Sequence, residues 1–270
     1  MEKLLLIDGN SMLFRAYYAT IYGQAMRTSD GIPTNAIYGF ALMLQKAIRV
    51  IEPKYVMVAF DHGKDTYRHK EYPEYKGTRS ATPDDLKSQF PLIREYLDAL
   101  HIVHYEQEGL EADDIIGCVA KQNRQYETAI LTSDKDLLQL VDDRIIVSLP
   151  GSRLSDSKDY TPQMVKDFLG VLPDQVVDYK ALVGDPSDNY PGIPGIGPKT
   201  AVSLLETYGT LDNIYANTDK LKGAVKTKVE NNKELAYLSR DLARIRTDLP
   251  EYFSIEEAST ANIDFPAMDR

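Results

Sequence analysis

The sequence predicts an α/β fold in which a mostly parallel sheet is flanked by helices and followed by a smaller helical lobe. Up to about residue 150, short apolar runs bounded by polar residues alternate with segments of helical spacing. Such alternation is typical of a parallel sheet covered on both faces. From residue 161 onward the chain consists of short helical segments and glycine turns without a convincing strand. With 270 residues, the chain also exceeds the usual size of one domain.

The individual elements follow from the spacing of apolar residues. Buried strands are predicted at residues 4–7, 55–60, 102–105, 129–131 and 145–147. Apolar residues at intervals of three and four predict helices over 37–51, 83–100 and 111–121, and Pro83 suits the first position of the second helix. We predict an α/β domain over 1–170, a helical lobe over 171–255, and a tail or shortened linker over 256–270, which lacks periodicity.

The composition indicates a soluble protein of a reducing compartment. The single cysteine, Cys118, rules out an internal disulfide. The four-residue apolar run after Glu2 is too short for a signal peptide or a membrane span. We therefore expect a cytoplasmic protein without membrane contact. The net charge of −10 argues at first against a nucleic-acid partner, unless the acids are concentrated in one place.

Three predicted strands end at an aspartate: Asp8, Asp61 and Asp134. Ligands of open α/β sheets bind at the carboxyl ends of the strands, so these acids are expected along one edge. Further acids occur in the motifs LEADDI, SDKD and GDPSD, and the full candidate set is Asp8, Asp61, Glu111, Asp113, Asp114, Asp134, Asp136, Asp185 and Asp188.

These nine carboxylates predict a metal centre. Gathered in one cleft they would not all stay ionised without a cation, and their motifs contain no neutralising lysine or arginine apart from Lys135 of SDKD. Oxygen-rich sites suit Mg²⁺ or Mn²⁺, and nine acids are more than one ion needs. Two ions fit the in-line displacement of a phosphodiester. The nine acids account for all but one of the ten net negative charges, so the remaining surface can be locally basic.

Two basic segments predict contacts with nucleic acid. In residues 64–79, Arg68, Lys76 and Arg79 lie among Tyr72 and Tyr75, a mixture that suits single strands. The stretch KLKGAVKTK has an acid-free lysine cluster that suits a duplex backbone, namely Lys220, Lys222, Lys226 and Lys228. A solvated loop and a solvated helix face are the respective alternatives.

The stretch GIPGIGPKTA predicts a phosphate-binding turn. Its glycines, Gly192, Gly195 and Gly197, do not have the dinucleotide-binding spacing, and no strand precedes them. A turn between two short helices, followed by Lys199, would offer the amides of Gly195 and Gly197 to one phosphate. Such a contact reads no base, so the binding would be independent of sequence.

At this point the chain resembles the 5′→3′ exonuclease and flap endonuclease family, closely the N-terminal nuclease domain of bacterial DNA polymerase I. The resemblance covers roughly residues 3–250 and includes LLLIDGNSMLFRAYYA, VAFDHGKDTYRHKEYPEYKGTR, GLEADDIIG, LTSDKDLLQL and GDPSDNYPGIPGIGPKTA, in that order. It implies a resolvase-like (PIN-like) domain with a helical arch at about 64–100, and a helix–three-turn–helix (helix-hairpin-helix) lobe.

The resemblance also implies an activity and its site residues. Two Mg²⁺ ions (or Mn²⁺), with K⁺ at the glycine turn, would support cleavage of DNA at 5′ ends, nicks and flaps in primer removal and repair, with RNA primers as further substrates. Tyr75, Lys76 and Arg79 would steer the scissile phosphate, Asp114 and Asp134 would be catalytic acids, and Arg15 would contact a second phosphate. A monomer working with a DNA polymerase in cis or in trans is expected, since polymerase relatives continue far beyond this length.

Three other functions predict different sequence features. A catalytically silent DNA-binding paralogue would lack metal ligands, yet all nine are present. A ribonuclease of the related small α/β class would lack the basic arch and the glycine turn. A phospho-accepting receiver domain would leave the second half of the chain unexplained.

Overall fold

The computed structural model describes residues 1–154, 156–250 and 253–270. The chain forms two compact units. The sheet unit comprises Met1–Lys64, Ala81–Tyr160 and Arg246–Arg270, and the helical unit comprises Asp65–Ser80 and Thr161–Ile245. Among the described residues, the structure contains no helix with the length and apolar character needed to cross a membrane.

The sheet unit is built on six strands in the order β3-β2-β1-β4-β5-β6. Their bounds are β1 Lys3–Asp8, β2 Tyr55–Ala59, β3 Val103–Tyr105, β4 Glu127–Leu131, β5 Ile145–Pro150 and β6 Ser157–Tyr160. The first five strands are mutually parallel, whereas β6 runs antiparallel to β5. The chain adds strands on one side of β1 and then returns to its other side, so β1 and β4 form the switch point of the sheet.

The helices alternate with the strands in the first half of the chain and succeed one another in the second. Their bounds are α1 Gly9–Thr20, α2 Asn35–Ile51, α3 Tyr67–Glu71, α4 Asp84–Lys87, α5 Gln89–Ala99, α6 Ala112–Gln122, α7 Pro162–Leu169, α8 Val176–Val183, α9 Pro198–Tyr208, α10 Leu211–Ala216, α11 Gly223–Asn231, α12 Lys233–Ala243 and α13 Phe265–Met268. Short 3₁₀ helices occupy Lys135–Leu140, Pro173–Gln175, Thr218–Lys220, Ile255–Ala258 and Thr260–Asn262.

The predicted α/β class and the five predicted strands are confirmed. Every residue of β2, and every residue of β1 except Lys3, is buried, as expected for central strands covered on both faces. Strand β6 escaped the prediction because its sequence, SKDY, contains no apolar run and three of its residues are exposed. It pairs with β5 at the edge of the sheet, so one side of its backbone has no neighbouring strand.

Two segments differ from the sequence prediction in where they pack. Residues 65–80, predicted as part of an arch within the α/β domain, belong to the helical unit, whereas the rest of the predicted arch, residues 81–100, belongs to the sheet unit, with Leu86, Ile93 and Leu97 in its core. Residues 256–270, predicted as a tail or shortened linker, pack in the sheet unit, with Ile263 and Met268 buried in its core. The amide of Thr260 donates to the carbonyl of Lys54 at 2.9 Å. The short helices within residues 256–270 contain too few apolar residues to show a period, so the sequence pattern did not reveal that this segment packs against the core.

The helical unit is organised around α8, α9 and α12, together with the segment Asp65–Ser80. A small apolar cluster of Tyr75, Tyr190, Leu242 and Ala243 joins that segment to α12. Helix α8 ends at Gly184, whose φ is +72°, and Gly192 has a φ of +59°. The two glycines approach so closely that a Cβ on Gly192 would overlap the main chain of Gly184. Glycine is therefore required at this crossing.

Candidate active site

Three carboxylates of the sheet unit share one edge of the sheet, as the strand-end pattern predicts. Asp8 is the last residue of β1, and it pairs in register with Ala59 of β2, two residues before Asp61. Leu131 of β4 pairs with Ile7 of β1, and Asp134 follows three residues later. Since β2, β1 and β4 are parallel neighbours, their carboxyl ends bring these acids together at the switch point.

The pKa of Asp8 is strongly perturbed by its surroundings. Its side chain is buried, accepts a hydrogen bond from the Ser11 amide at 3.2 Å, and accepts another from the Thr132 hydroxyl at 2.8 Å. Burial, followed by the negative charges of Asp61 and Asp134, raises the pKa of Asp8 to about 7. The two hydrogen bonds lower the pKa but do not compensate. The acids therefore repel one another at this edge.

Asp61 is held by hydrogen bonds to α1 and to the start of α6. Its amide donates to the side chain of Asn10 at 2.9 Å, and its carboxylate accepts from the amide of Ala112 at 2.7 Å. Ala112 is the first residue of α6, so Asp61 also faces the positive end of that helix dipole. This contact places Asp61 beside the buried Glu111, which precedes α6.

Asp114 accepts hydrogen bonds from two main-chain amides. It is completely buried, one carboxylate oxygen accepts from the Glu111 amide at 3.2 Å, and the other accepts from the Arg246 amide at 2.9 Å. Asp114 thereby completes a capping box at the start of α6 and fixes the start of the C-terminal segment Arg246–Arg270 against this helix. The neighbouring Asp113 is only half-buried. The predicted role of Asp114 as a catalytic metal ligand stays a prediction.

Asp134 and Asp136 lie at the start of the 3₁₀ helix that follows β4. Asp134 accepts from the Asp136 amide at 2.9 Å, and its own amide donates to the Thr132 hydroxyl at 3.0 Å. Thr132 is fully buried and also lies 3.1 Å from the Ser11 hydroxyl. Sequence reasoning missed Thr132 and Ser11 as supports of the acids. The available signal was the motif LTSD, in which two hydroxyl residues stand between the apolar strand and Asp134.

In the helical unit, Asp185 and Asp188 are paired with basic residues. Asp185 accepts from Lys180 at 2.6 Å and from both the amide and the hydroxyl of Ser187, at 2.9 and 2.7 Å. Burial opposes ionisation, but the Lys180 charge and these hydrogen bonds outweigh it and lower the pKa of Asp185. Asp188 is buried and forms an ion pair with Arg79. The motif GDPSD contains no basic residue, but Lys180 and Arg79, which lie outside it in the sequence, supply the neutralising charges for these two acids.

Arg68, predicted to contact DNA, is instead a buried structural residue. Only 2% of it is exposed. Its guanidinium donates to the carbonyls of Leu242 and Arg244 at 2.9 and 2.8 Å, at the end of α12, and lies over the ring of Tyr67. A cation at this end of a helix is favoured by the helix dipole. The interleaved sequence pattern could not separate this buried arginine from exposed ones.

The two candidate tyrosines of the segment Asp65–Ser80 also pack against other side chains of the helical unit. Tyr75 is buried in the apolar cluster, and Tyr72 packs against the same cluster while half-buried. The ammonium of Lys76 lies 5.1 Å from the centre of the Tyr75 ring. Lys76 itself is half-buried, and Arg79 is exposed apart from its ion pair.

The glycine turn uses part of its backbone internally. The amide of Gly192 donates to the Ser239 hydroxyl at 2.9 Å, so it is not available to a phosphate. Gly195 and Gly197 are exposed, as is Lys199 in the first turn of α9. The Lys228 ammonium donates to the Gly195 carbonyl at 3.2 Å, one of the carbonyls that the resemblance offers to K⁺.

The remaining candidate cations differ in their environments. Lys220 and Lys222 are exposed, whereas Lys226 lies 3.9 Å from Glu230 one helical turn away. In the sheet unit, the half-buried Arg15 donates to the carbonyl of Gly151 at 2.7 Å. The contacts of these residues with DNA stay predictions.

Comparison with known proteins identifies the family of this chain. The model of the 5′-3′ exonuclease N-terminal resolvase-like domain matches residues 3–170, and that of the 5′-3′ exonuclease C-terminal SAM fold matches residues 171–266. The chain belongs to the 5′-3′ exonuclease family. The resolvase-like fold class and the family resemblance are thus confirmed, and the sequence motifs named above lie within the matched residues.

Individual relatives extend the comparison. DNA polymerase I of Bacillus caldotenax is 45% identical over 259 residues, which is 95% of this chain and 29% of that protein. DNA polymerase I of Bacillus subtilis is 41% identical over 272 residues, which is 100% of this chain and 30% of that protein. The chain therefore spans less than a third of the length of these relatives.

A solved structure shows the same fold at lower identity. It is a pseudo-enzyme–product complex of the bacteriophage T5 flap endonuclease with DNA and metal ions. It has a TM-score of 0.72 and 22% identity, and the match covers 99% of this chain and 96% of that one.

Proposed function

We propose that this chain is a divalent-metal-dependent, structure-specific 5′ nuclease that hydrolyses DNA phosphodiester bonds at 5′ ends and flaps. The observation that carries the proposal is the mutual repulsion of Asp8, Asp61 and Asp134 at the switch point of the sheet. A protein gains nothing in stability from holding like charges together in a buried place. A bound cation would relieve this repulsion, and the family is one of exonucleases.

The carboxylates of the sheet unit fit Mg²⁺ in their chemistry. We propose as ligands the members of the candidate set in that unit, with Mn²⁺ able to substitute: Asp8, Asp61, Glu111, Asp113, Asp114, Asp134 and Asp136. Asp185 and Asp188 remain proposed as the further two. Two bound ions would activate a water molecule for attack on phosphorus and stabilise charge on the leaving oxygen.

The cations of the helical unit supply the proposed DNA contacts. Lys76 would stabilise the charge that develops on the scissile phosphate, with Arg79 beside it. The exposed Lys199, Lys220 and Lys222 would contact the duplex backbone without reading bases. Arg68 is withdrawn from this set because its guanidinium is engaged by main-chain carbonyls.

The wider role is proposed from the relatives. Because their names are those of DNA polymerases and this chain spans under a third of them, we propose that a polymerase acts with it, in cis or in trans. The nuclease would then remove 5′ flaps and primers, including RNA primers, in replication and repair. K⁺ at the glycine turn is part of the same proposal.

A flap assay tests the activity. A 5′-labelled flap substrate is incubated with the protein and Mg²⁺ or EDTA, and product is expected only with Mg²⁺. Asp134→Asn should slow cleavage by about 10²-fold or more, since asparagine keeps the bond to the Asp136 amide but removes the charge. The control is Asp143→Asn, an exposed acid paired with Arg124, which should cleave normally.

The alternative is a silent DNA-binding paralogue of the same fold. It predicts normal binding of flap DNA and no product with Mg²⁺ or Mn²⁺. The presence of all nine candidate carboxylates favours the active enzyme.

A further inference from the structure

Two residues of the helical unit that are not glycine have left-handed backbone conformations, and each contacts the turn that contains the other. Lys76 has a φ of +56° and Asn189 a φ of +59°. Asparagine is one of the residues that tolerates this region, whereas a lysine there is uncommon. Backbone strain of this kind persists only where the surroundings hold it in place.

Lys76 is the third residue of a tight turn. The amide of Gly77 donates to the carbonyl of Glu74 at 2.8 Å and closes the turn Glu74–Gly77. A positive φ at the third position of such a turn favours glycine or asparagine. The sequence places a lysine there instead, so the turn must be stabilised from outside.

The stabilising contacts come from the acidic turn Asp185–Tyr190. The side-chain amide of Asn189 donates to the carbonyl of Glu74 at 2.8 Å, and the carbonyl of Asp188 accepts from the Lys76 amide at 2.8 Å. These two hydrogen bonds flank Tyr75, whose ring is buried in the apolar cluster. The turn Glu74–Gly77 is therefore held by one hydrogen bond on each side of the buried Tyr75.

We propose that Asn189 is a positioning residue for Lys76. Its side-chain amide donates to the same Glu74 carbonyl that accepts from the Gly77 amide, and by stabilising this turn it directs the Lys76 side chain. The inference rests on the proposed function, in which Lys76 contacts the scissile phosphate. It adds that the segment carrying Asp185 and Asp188 also sets the position of the phosphate-contacting lysine.

The test uses Asn189→Gly, which keeps the freedom for a positive φ and removes the donor. Asn189→Asp is the second variant, because aspartate tolerates the same backbone region but presents an acceptor to the Glu74 carbonyl. For both we expect the single-turnover cleavage rate of a 5′ flap with Mg²⁺ to fall by about 10–100-fold, as for small misplacements of a positioned group. The flap-DNA Kd in EDTA should change by less than about twofold.

A double-mutant cycle separates positioning from a general effect on the fold. In a Lys76→Ala background, Asn189→Gly should slow cleavage by less than about twofold further. The control is Asn217→Gly. The side-chain amide of Asn217 also donates to a main-chain carbonyl of the helical unit, that of Asn213, at 2.8 Å, and its removal should leave the cleavage rate unchanged. A rate loss of equal size with and without Lys76 would overturn the proposal.

Hydrogen exchange gives a readout that does not depend on activity. The Lys76 amide, bonded to the Asp188 carbonyl, should exchange faster in Asn189→Gly than in the unsubstituted protein. Unchanged exchange with an unchanged rate would refute the role of Asn189 and leave the proposed nuclease intact. Absence of cleavage by the unsubstituted protein would instead refute the proposed function itself, and the role of Asn189 with it.

Discussion

The raised pKa of Asp8 predicts how the metal-free protein responds to pH. The pKa lies near 7 in the folded protein because of burial first and the charges of Asp61 and Asp134 second, against 3.8 for an ordinary aspartate. The folded state therefore binds a proton that the unfolded chain releases between these values. Because the folded state binds more protons at Asp8, the contribution of Asp8 to stability falls as the pH rises from about 4 to about 7.

Asp8→Asn isolates this effect. Asparagine has the same shape, can accept from the Ser11 amide, and can donate to the Thr132 hydroxyl, which can then donate to Ser11. A pKa displaced from 3.8 to about 7 corresponds to at most about 4 kcal/mol at high pH. Without metal, the variant should be more stable than the parent protein at pH 8 by a fraction of that ceiling, and by almost nothing near pH 4.

Thermal melts in EDTA from pH 5 to pH 8 measure the difference. The Tm of Asp8→Asn minus that of the parent should grow with pH, by about 2–4 °C for each kcal/mol. The exposed Asp30→Asn is the control and should show no such trend. Added Mg²⁺ should raise the Tm of the parent more than that of the variant, since it binds the folded acids. A difference that stays flat or shrinks with rising pH would refute the reasoning.

Three further outcomes are expected. Gly9→Ala places a Cβ 2.9 Å from the Ala59 carbonyl and should cost about 1–3 kcal/mol in urea unfolding, whereas Gly23→Ala, with its nearest atom at 3.4 Å, should be tolerated. Equal costs for the two would contradict the packing at the end of β1. Arg68→Lys keeps the charge but loses one hydrogen bond to a main-chain carbonyl, and it should lower the free energy of unfolding by about 2–4 kcal/mol. The control Lys70→Arg, at an exposed residue, should leave the stability unchanged. An unchanged Tm of Arg68→Lys would refute the structural role of Arg68. Lys222→Ala should weaken binding to duplexes of any sequence and reduce the salt slope of log K by about 1 in a fluorescence anisotropy titration, and an unaltered slope would remove this lysine from the interface.

The sequence was sufficient for the parts of the fold that carry a strong local signal. Apolar runs identified the buried strands because central parallel strands have no solvated face, and an aspartate at the end of a run marked the carboxyl edge. The edge strand Ser157–Tyr160 and the C-terminal segment carrying Ile263 and Met268 gave no such signal. Their stability comes from what they pack against, which a local pattern does not contain.

Taken alone, the sequence determined which family and which kind of sheet this chain has, and it showed which acids follow the strands. Only the tertiary structure decided what each polar group does. It buried Arg68 against carbonyls, gave both oxygens of Asp114 to amides, and paired Asp185 with Lys180. The physical reason is that the type of a charged residue fixes which partners it can take, whereas its role depends on distance and burial, and those are set by residues far away in the chain.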